Sequence, residues 1–190
     1  MTIQARRERE RAEREQLIVA AARQLAESEG WDAVTTRRLA REIEYSQPVL
    51  YSHFKGKDAI MAAVAVEGFT DLAARLHEAR TSAPDAHRAL ADVAAAYAEF
   101  AERHPAIYDA MFTLAVDLPF ASPDTPAALQ DGFGELREVM RPLVDAGDLE
   151  TLTETFWSGL HGLITLMRGG RLRPQDHERR LALLIDRYSP

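Results

Sequence analysis

The chain has 190 residues, enough for one compact domain or for a small domain joined to a medium one. Alanine, leucine, arginine and glutamate dominate, with 46% hydrophobic and 28% charged residues, which is typical of a soluble helical protein. The absence of cysteine excludes disulfides, thiolate metal sites and cysteine nucleophiles. The first residues are charged rather than signal-like, and no stretch approaches ~18 uninterrupted apolar residues, so we expect a cytoplasmic protein without a membrane partner.

The charge is unevenly distributed. A net charge of −7 disfavours nucleic acid as a partner, because lysine and arginine supply much of the affinity for phosphates. Residues 1–58, however, contain eleven basic and ten acidic side chains, whereas the remainder contains twelve and twenty. The acidity therefore belongs to the C-terminal part, and we predict two domains, 1–58 and 59–190.

The first predicted helix covers residues 8–29, where apolar residues recur at helical spacing and Gly30 is suited to the C-terminal cap. Up to about Glu15 this segment alternates arginine with glutamate. That part is expected to be either a solvated helical extension or a frayed arm.

Two short helices follow. Thr35 or Thr36 is suited to cap a helix that ends near Ile43, and Ser46 is suited to cap a second helix over 47–53. Pro48 is tolerable in its first turn, where amides lack an intrahelical partner. Two short helices joined by a short turn predict a helix-turn-helix over residues 35–54.

The rest of the chain is also predicted to be helical. Proline and glycine positions divide it into segments at 57–80, 84–103, 105–112, 126–145, 148–168 and 174–188, with a proline-rich loop at 117–126. The predicted fold is all-α, with about nine helices.

The sequences Val-Thr-Thr-Arg-Arg-Leu-Ala at 34–40 and Gln-Pro-Val-Leu-Tyr-Ser-His-Phe-Lys-Gly-Lys at 47–57 identify a family resemblance. Residues 17–64 resemble the N-terminal domain of TetR-family transcriptional regulators, the tetracycline repressors in particular. The resemblance implies a three-helix DNA-binding head followed by a helical ligand-sensing and dimerisation domain.

In a helix-turn-helix, the first residues of the second helix face base edges in the major groove. Gln47 is suited to adenine, while Pro48 and Val49 are suited to thymine methyl groups. The resemblance implies that Arg37 contacts guanine, for which an arginine fork is well shaped. Arg38 is expected to contact phosphate or solvent.

The resemblance also implies phosphate contacts by Thr36, Tyr51, His53 and Lys57, whose groups suit such positioning roles. Glu44 departs from the family, which usually has glycine at this turn position. A non-glycine residue with positive φ costs roughly 1 kcal/mol, and the carboxylate would be repelled by phosphate, so we expect a reshaped turn or an outward-pointing side chain. Core positions are predicted at Leu39, Ala40, Leu50 and Phe54.

In the C-terminal part, Pro105-x-x-Tyr108-x-x-Met111-Phe112 and Trp157-x-x-x-His161-Gly162 resemble a TetR subclass with a Trp-His-Gly motif. Apolar cavities with a few polar groups are typical of ligand sites. The candidate pocket residues are Phe69, Tyr97, Phe100, Tyr108, Met111, Phe112, Trp157 and His161.

The last two predicted helices are apolar over more than one face, which favours a four-helix interface across a two-fold axis. Burial within one subunit is the alternative. The expected partners are an operator in double-stranded DNA, a second copy of the chain and an unidentified small-molecule effector.

Enzyme interpretations lack support. A phosphate-binding Gly-Lys-Ser/Thr motif is absent, Gly132-Phe133-Gly134 lacks a strand context, and the six histidines are scattered. We therefore predict no catalytic residue, cofactor or metal. The predicted function is a ligand-responsive regulator, a repressor released from a pseudo-palindromic operator by a small molecule. A helical protein-interaction module that does not bind DNA is the alternative, favoured by the acidic total charge and by Glu44.

Overall fold

The computed structural model describes residues 2–114, 116, 118–120, 122–144 and 147–188. This described part contains nine α-helices, two short 3-10 turns and no strand, so the all-α prediction is confirmed. Residues 117, 121 and 145, which fall in the predicted loop and in the predicted seventh helix, lie outside the described residues. The helices are α1 (Ile3–Glu29), α2 (Thr36–Glu42), α3 (Gln47–His53), α4 (Lys57–Ser82), α5 (Ala86–Arg103), α6 (Pro105–Phe112), α7 (Ala127–Met140), α8 (Leu149–Arg168) and α9 (His177–Ile185).

Helix α1 begins earlier than the sequence predicted. Thr2 has extended backbone, and its hydroxyl accepts a hydrogen bond from the amide of Ala5 at 3.3 Å, as an N-cap residue does. The charged segment before Glu15 is therefore a helical extension rather than a frayed arm. At the other end Gly30, with φ +82°, donates its amide to the carbonyl of Ala26 at 2.8 Å and caps the helix as predicted.

Two C-terminal helices are shorter than predicted. Helix α7 ends at Met140 rather than at residue 145, because Pro142 has no amide to donate and its ring clashes with the preceding turn. Helix α9 ends at Ile185 rather than at 188, and Pro174–Asp176 form a 3-10 turn before it. The predicted boundary at Pro174 is the start of this turn.

The described helices form two compact units. The first comprises Met1–Gly68 and His104–Pro126, and the second comprises Phe69–Arg103 and Ala127–Pro190. This division is geometric, and the functional boundary at residue 58 stays a prediction. Helix α4 contributes residues to both units.

The core of the first unit forms around one face of α1. Ile18, Ala22 and Leu25 of this face are buried, as are Leu39 of α2 and Leu50 of α3. Burial of each large aliphatic side chain contributes about 1.5–3 kcal/mol relative to exposure. These contacts hold two short helices that would not be stable alone.

Helix α6 is fixed to the end of α1 by polar contacts. The Glu27 carboxylate accepts hydrogen bonds from the amides of Ala106, at 3.3 Å, and Ile107, at 3.1 Å. These amides lie in the first turn of α6, where no intrahelical partner exists and negative charge is favourable. The indole of Trp31 donates to the carbonyl of Ala106 at 2.7 Å. We call these three bonds the α1–α6 clasp.

In the second unit, the largest fully buried side chains include Tyr97, Phe100 and Phe156. Buried Thr153 donates its hydroxyl to the carbonyl of Leu149 at 2.7 Å, so its polar group is satisfied. Among the residues that the structure describes, no helix is both long and apolar enough to cross a membrane. The same residues include no group of three or more potential metal-binding side chains.

Helix α6 packs closely against α4 at Gly68. A Cβ added there would lie 2.5 Å from Cγ2 of Ile107 and 2.8 Å from Sδ of Met111. We expect Gly68→Ala to destabilise the protein by about 1–2 kcal/mol, since overpacking exceeds the gain in helix propensity. Gly134→Ala is the matched control, because nothing lies within 4 Å of an added Cβ in α7. It should stabilise by about 0.5–1 kcal/mol, and urea unfolding curves that move both variants in the same direction would contradict this packing.

Candidate nucleic-acid interface

Helices α2 and α3, with the turn between them, form a helix-turn-helix. The hydroxyl of Thr35 accepts from the amide of Arg38 at 3.2 Å and caps α2. Ser46 occupies the cap position of α3 with extended backbone, but its side chain makes no capping bond, contrary to the prediction. The predicted core residues Leu39, Ala40 and Leu50 are buried, and Phe54 is half-buried.

The turn keeps the conformation that glycine usually provides. Glu44 has φ +57°, the amide of Tyr45 donates to the carbonyl of Ala40 at 2.8 Å, and the amide of Glu44 donates to Arg41 at 3.3 Å. These two bonds are those of a Schellman helix ending, which places its C′ residue in the left-handed region. The turn is therefore not reshaped, and the Glu44 side chain is exposed.

The predicted base-contacting residues are accessible. Arg37 lies exposed in the first turn of α2, and no ion pair or hydrogen bond of its side chain occurs among the described residues. Gln47, Pro48 and Val49 are exposed in the first turn of α3. Polar groups at these positions can therefore reach base edges without first breaking contacts within the protein.

Two hydroxyls lie together beside this surface. Thr36 Oγ1 and the hydroxyl oxygen of Tyr51 are 3.3 Å apart, and Tyr51 is 53% exposed. The pair joins the first turn of α2 to the second turn of α3. Both hydroxyls suit the predicted phosphate contacts, since hydroxyl groups commonly position a protein on the DNA backbone.

Three other predicted phosphate contacts have partners within the protein. Arg38 donates from Nη1 to Oε2 of Glu29 at 2.7 Å and from Nη2 to Oε1, and this bidentate pair lowers the pKa of the Glu29 carboxyl. The His53 ring is 6% exposed, with Nδ1 3.2 Å from Oε1 of Glu15. Lys57 donates its ammonium to the carbonyl of Trp31 at 2.5 Å. Their roles toward DNA stay predictions.

Arg41 is a further candidate for DNA contact that the sequence analysis did not name. Its side chain is 76% exposed and follows Arg37 by four residues, so both lie on one face of α2. Its only described ionic neighbour is Glu42, at 3.9 Å. The spacing of four residues between Arg37 and Arg41 could have identified this candidate from the sequence.

The predicted ligand-pocket residues divide between the two units. Tyr108, Met111 and Phe112 belong to the first unit; Tyr108 and Met111 are buried, and the rings of Tyr108 and Phe112 are 4.8 Å apart. In the second unit, Phe69, Tyr97 and Phe100 are buried, whereas Trp157 and His161 are half-buried.

A hydrogen bond links α5 to α8 within the second unit. The indole of Trp157 donates to the hydroxyl of Tyr97 at 3.0 Å, and the rings of Trp157 and His161 are 6.1 Å apart. Burial, with a smaller contribution from Arg168, lowers the pKa of His161. The imidazole is therefore neutral near pH 7 and can exchange hydrogen bonds without bringing a charge.

A separate depression of about 560 Å³ lies between α4 and α7 of the second unit. It includes none of the predicted pocket residues. Its polar wall contains Glu135, which accepts from Arg80 at 2.7 Å and lies 3.0 Å from His77. The predicted pocket thus stays a prediction.

This fold, with an exposed first turn on each short helix of a helix-turn-helix, defines a DNA-binding protein. A family model described as "Bacterial regulatory proteins, tetR family" matches residues 18–64. A second model, "Tetracyclin repressor-like, C-terminal domain", matches residues 90–188. The chain belongs to the TetR family of DNA-binding transcriptional regulators.

Individual relatives agree with this assignment. An uncharacterised helix-turn-helix transcriptional regulator of Mycobacterium tuberculosis is 30% identical over 155 residues, covering 80% of this chain and 69% of the relative. The uncharacterised regulator YobS of Bacillus subtilis is 33% identical over 96 residues, half of each chain. The solved TetR-family regulator PfmR of Thermus thermophilus has the same fold, with a TM-score of 0.61, 23% identity, and coverage of 90% of this chain and 92% of that one.

The strain at Glu44 can be separated from its charge. Glu44→Gly should stabilise the protein by about 0.5–1 kcal/mol, because glycine adopts the left-handed conformation without the Cβ penalty. Glu44→Ala should bring no such gain, yet both variants remove the carboxylate and should bind DNA more tightly. Urea unfolding and DNA titration measure the two effects, and equal stability of the two variants would show that the turn is not strained.

The neighbours Arg37 and Arg38 should respond differently to truncation. Arg37→Ala should cost about 1–3 kcal/mol on specific DNA and relax the preference for guanine at one position, with little change in unfolding. Arg38→Ala should destabilise the protein, because it removes the bidentate pair with Glu29. Gln47→Ala should relax preference at an adenine. Binding to DNA substituted one base pair at a time measures this, and an unchanged preference would remove that residue from the base-contacting set.

Proposed function

We propose that this chain is a ligand-responsive repressor that binds a pseudo-palindromic operator as a homodimer and is released by a small molecule. The observation that supports it best is the placement of Arg37 and Gln47, exposed in first turns above a buried helix-turn-helix core. A dimer with two-fold symmetry would bind two half-sites, which is why we expect the operator to be a pseudo-palindrome. A role on DNA supports the expectation that the protein acts in the cytoplasm.

The proposed dimer interface uses the outward faces of α8 and α9. Leu166 is 40% exposed and Leu183 is 54% exposed, although both lie on amphipathic helices. Leu184, in contrast, packs within the subunit, since an added Cβ at Gly159 would lie 3.0 Å from its Cδ1. The two helices thus bury one apolar face internally and leave another available for an isologous contact.

The proposed effector site uses the aromatic side chains of the Trp-His-Gly pattern. Trp157 and Tyr97 are hydrogen-bonded to each other, and neutral His161 lies one turn beyond Trp157. An apolar ligand with one or two hydrogen-bonding groups suits such a lining. Since Tyr97 is 1% exposed, ligand entry requires the packed interior to open.

The proposed mechanism is a population shift. A ligand that binds the non-operator conformation more tightly must weaken operator affinity by the same factor. A coupling of about 1–3 kcal/mol changes affinity roughly 5–150-fold, which is sufficient for regulation. Helix α4 is the proposed lever, because it is one continuous helix that contributes residues to both units.

The function can be tested on DNA that the protein itself selects. The full chain would be used to enrich duplexes from a random-sequence pool, and the enriched site would be titrated with and without a panel of apolar small molecules. We expect a two-fold symmetric site and at least one compound that weakens binding. Selection of DNA without any common sequence would contradict operator recognition, whereas a site unaffected by every compound would contradict ligand release by this chemical class.

Substitutions in the proposed dimer interface should change the oligomeric state of the protein. Leu183→Glu and Leu166→Glu should each convert the dimer to a monomer at micromolar concentration, because they would bury an unpaired charge. Leu114→Glu is a control at a 37% exposed leucine outside α8 and α9. Sedimentation velocity measures the state, and a dimer that survives both substitutions would place the interface elsewhere.

A further inference from the structure

The N-terminal extension of α1 has no role in the function described so far. Residues 3–15 are helical and mostly exposed, and they precede the span 18–64 that matches the DNA-binding family model. The extension contains five arginines and four glutamates. Their arrangement on the helix determines what the extension can contact.

Helical periodicity places three of the arginines on one face. Arg7, Arg11 and Arg14 are separated by four and three residues, so they lie within roughly 60° of one another. Ile18 and Leu25, eleven and eighteen residues after Arg7, continue the same face into the buried core. The face of α1 that packs on the helix-turn-helix therefore becomes a line of arginines where the apolar core ends. We call this line the arginine face.

The arginine face lies beside the C-terminal turn of α3. Arg11 donates from Nη2 to the carbonyl of Ser52 at 3.5 Å, and Glu15 contacts the His53 ring at 3.2 Å. Exposed Tyr51, a predicted phosphate contact, precedes these residues in α3. The extension thus continues the surface that is predicted to face DNA.

The acidic residues near this face are largely engaged. Glu10 pairs with Arg6 at 2.7 Å, and Glu15 pairs with Arg11 at 2.8 Å. Glu8 accepts a hydrogen bond from Gln4 at 3.2 Å. Arg7 and Arg14, in contrast, are exposed and have no ion pair or hydrogen bond of their side chains among the described residues.

We propose that Arg7, Arg11 and Arg14 bind backbone phosphates of the DNA that flanks the base pairs contacted by α2 and α3. The proposal rests on DNA binding by the helix-turn-helix. Arg7 and Arg14 are about 10 Å apart along the helix axis at 1.5 Å per residue, so they can reach different phosphates. The contact adds affinity without sequence preference, since phosphate contacts position a protein and base contacts specify the site.

The test compares two faces of one helix. Arg7→Gln/Arg14→Gln removes two charges from the arginine face, while Arg9→Gln and Arg6→Gln remove charges on other faces. Glutamine keeps helix propensity close to that of arginine. On the selected DNA, each lost phosphate contact should reduce the magnitude of the slope of log K against log salt by about 0.9. Because the variant removes two arginines from each subunit, a dimer would lose up to four such contacts. The combined variant Arg6→Gln/Arg9→Gln, of equal charge, should change the slope much less.

Shortening the DNA supplies an independent readout. Removing the base pairs that flank the selected site at both ends should weaken binding of the wild type more than binding of Arg7→Gln/Arg14→Gln, which keeps only Arg11 of the arginine face. Equal slopes for the two double variants, or equal sensitivity of both proteins to shortening, would overturn the proposal and direct attention to a protein partner for this face. If Gln47→Ala still relaxes base preference in that case, the proposed function survives. Failure of the wild type to bind any DNA would overturn both.

Discussion

Burial of one face of α1 is the constraint on which the DNA-binding unit depends. The helix packs through Ile18, Ala22 and Leu25, and it contacts α2, α3 and α6. Helices α2 and α3 have seven residues each, too few to be stable in isolation. Their first turns are therefore positioned by a helix that comes before them in the chain and that need not contact a base itself.

Most of the fold was predictable because the sequence obeys local rules consistently. All nine described helices were located by their apolar periodicity, by Gly30 as a cap, and by the prolines and glycines between segments. The predicted seventh helix was too long because it extended past Pro142, a residue that ends helices. At Glu44 the sequence left two alternatives open, and the structure has the second: the turn keeps its left-handed conformation, which the Schellman ending requires, and the side chain is exposed.

The candidate interface was only partly predictable. Arg37 and Arg38 are adjacent and chemically identical, yet Arg38 is bound to Glu29 while Arg37 is exposed. Likewise Lys57 meets a carbonyl 26 residues away, at Trp31. Such pairings depend on how helices are arranged in space, so they cannot be predicted from the residue pattern within one segment. The residues of the predicted effector pocket face the same limit, since aromatic side chains line cavities and fill cores alike.

The α1–α6 clasp holds only one end of α6. Its three hydrogen bonds act at the first turn of the helix, whereas Met111, in the last turn, lies against Gly68 of α4, where an added Cβ would be 2.8 Å from its Sδ. A helix held near both ends cannot tilt about its first turn without disturbing the packed contact at its last turn. Helix α6 is therefore a rigid connection between the end of α1 and the middle of α4, and a shift of either helix is resisted at the other.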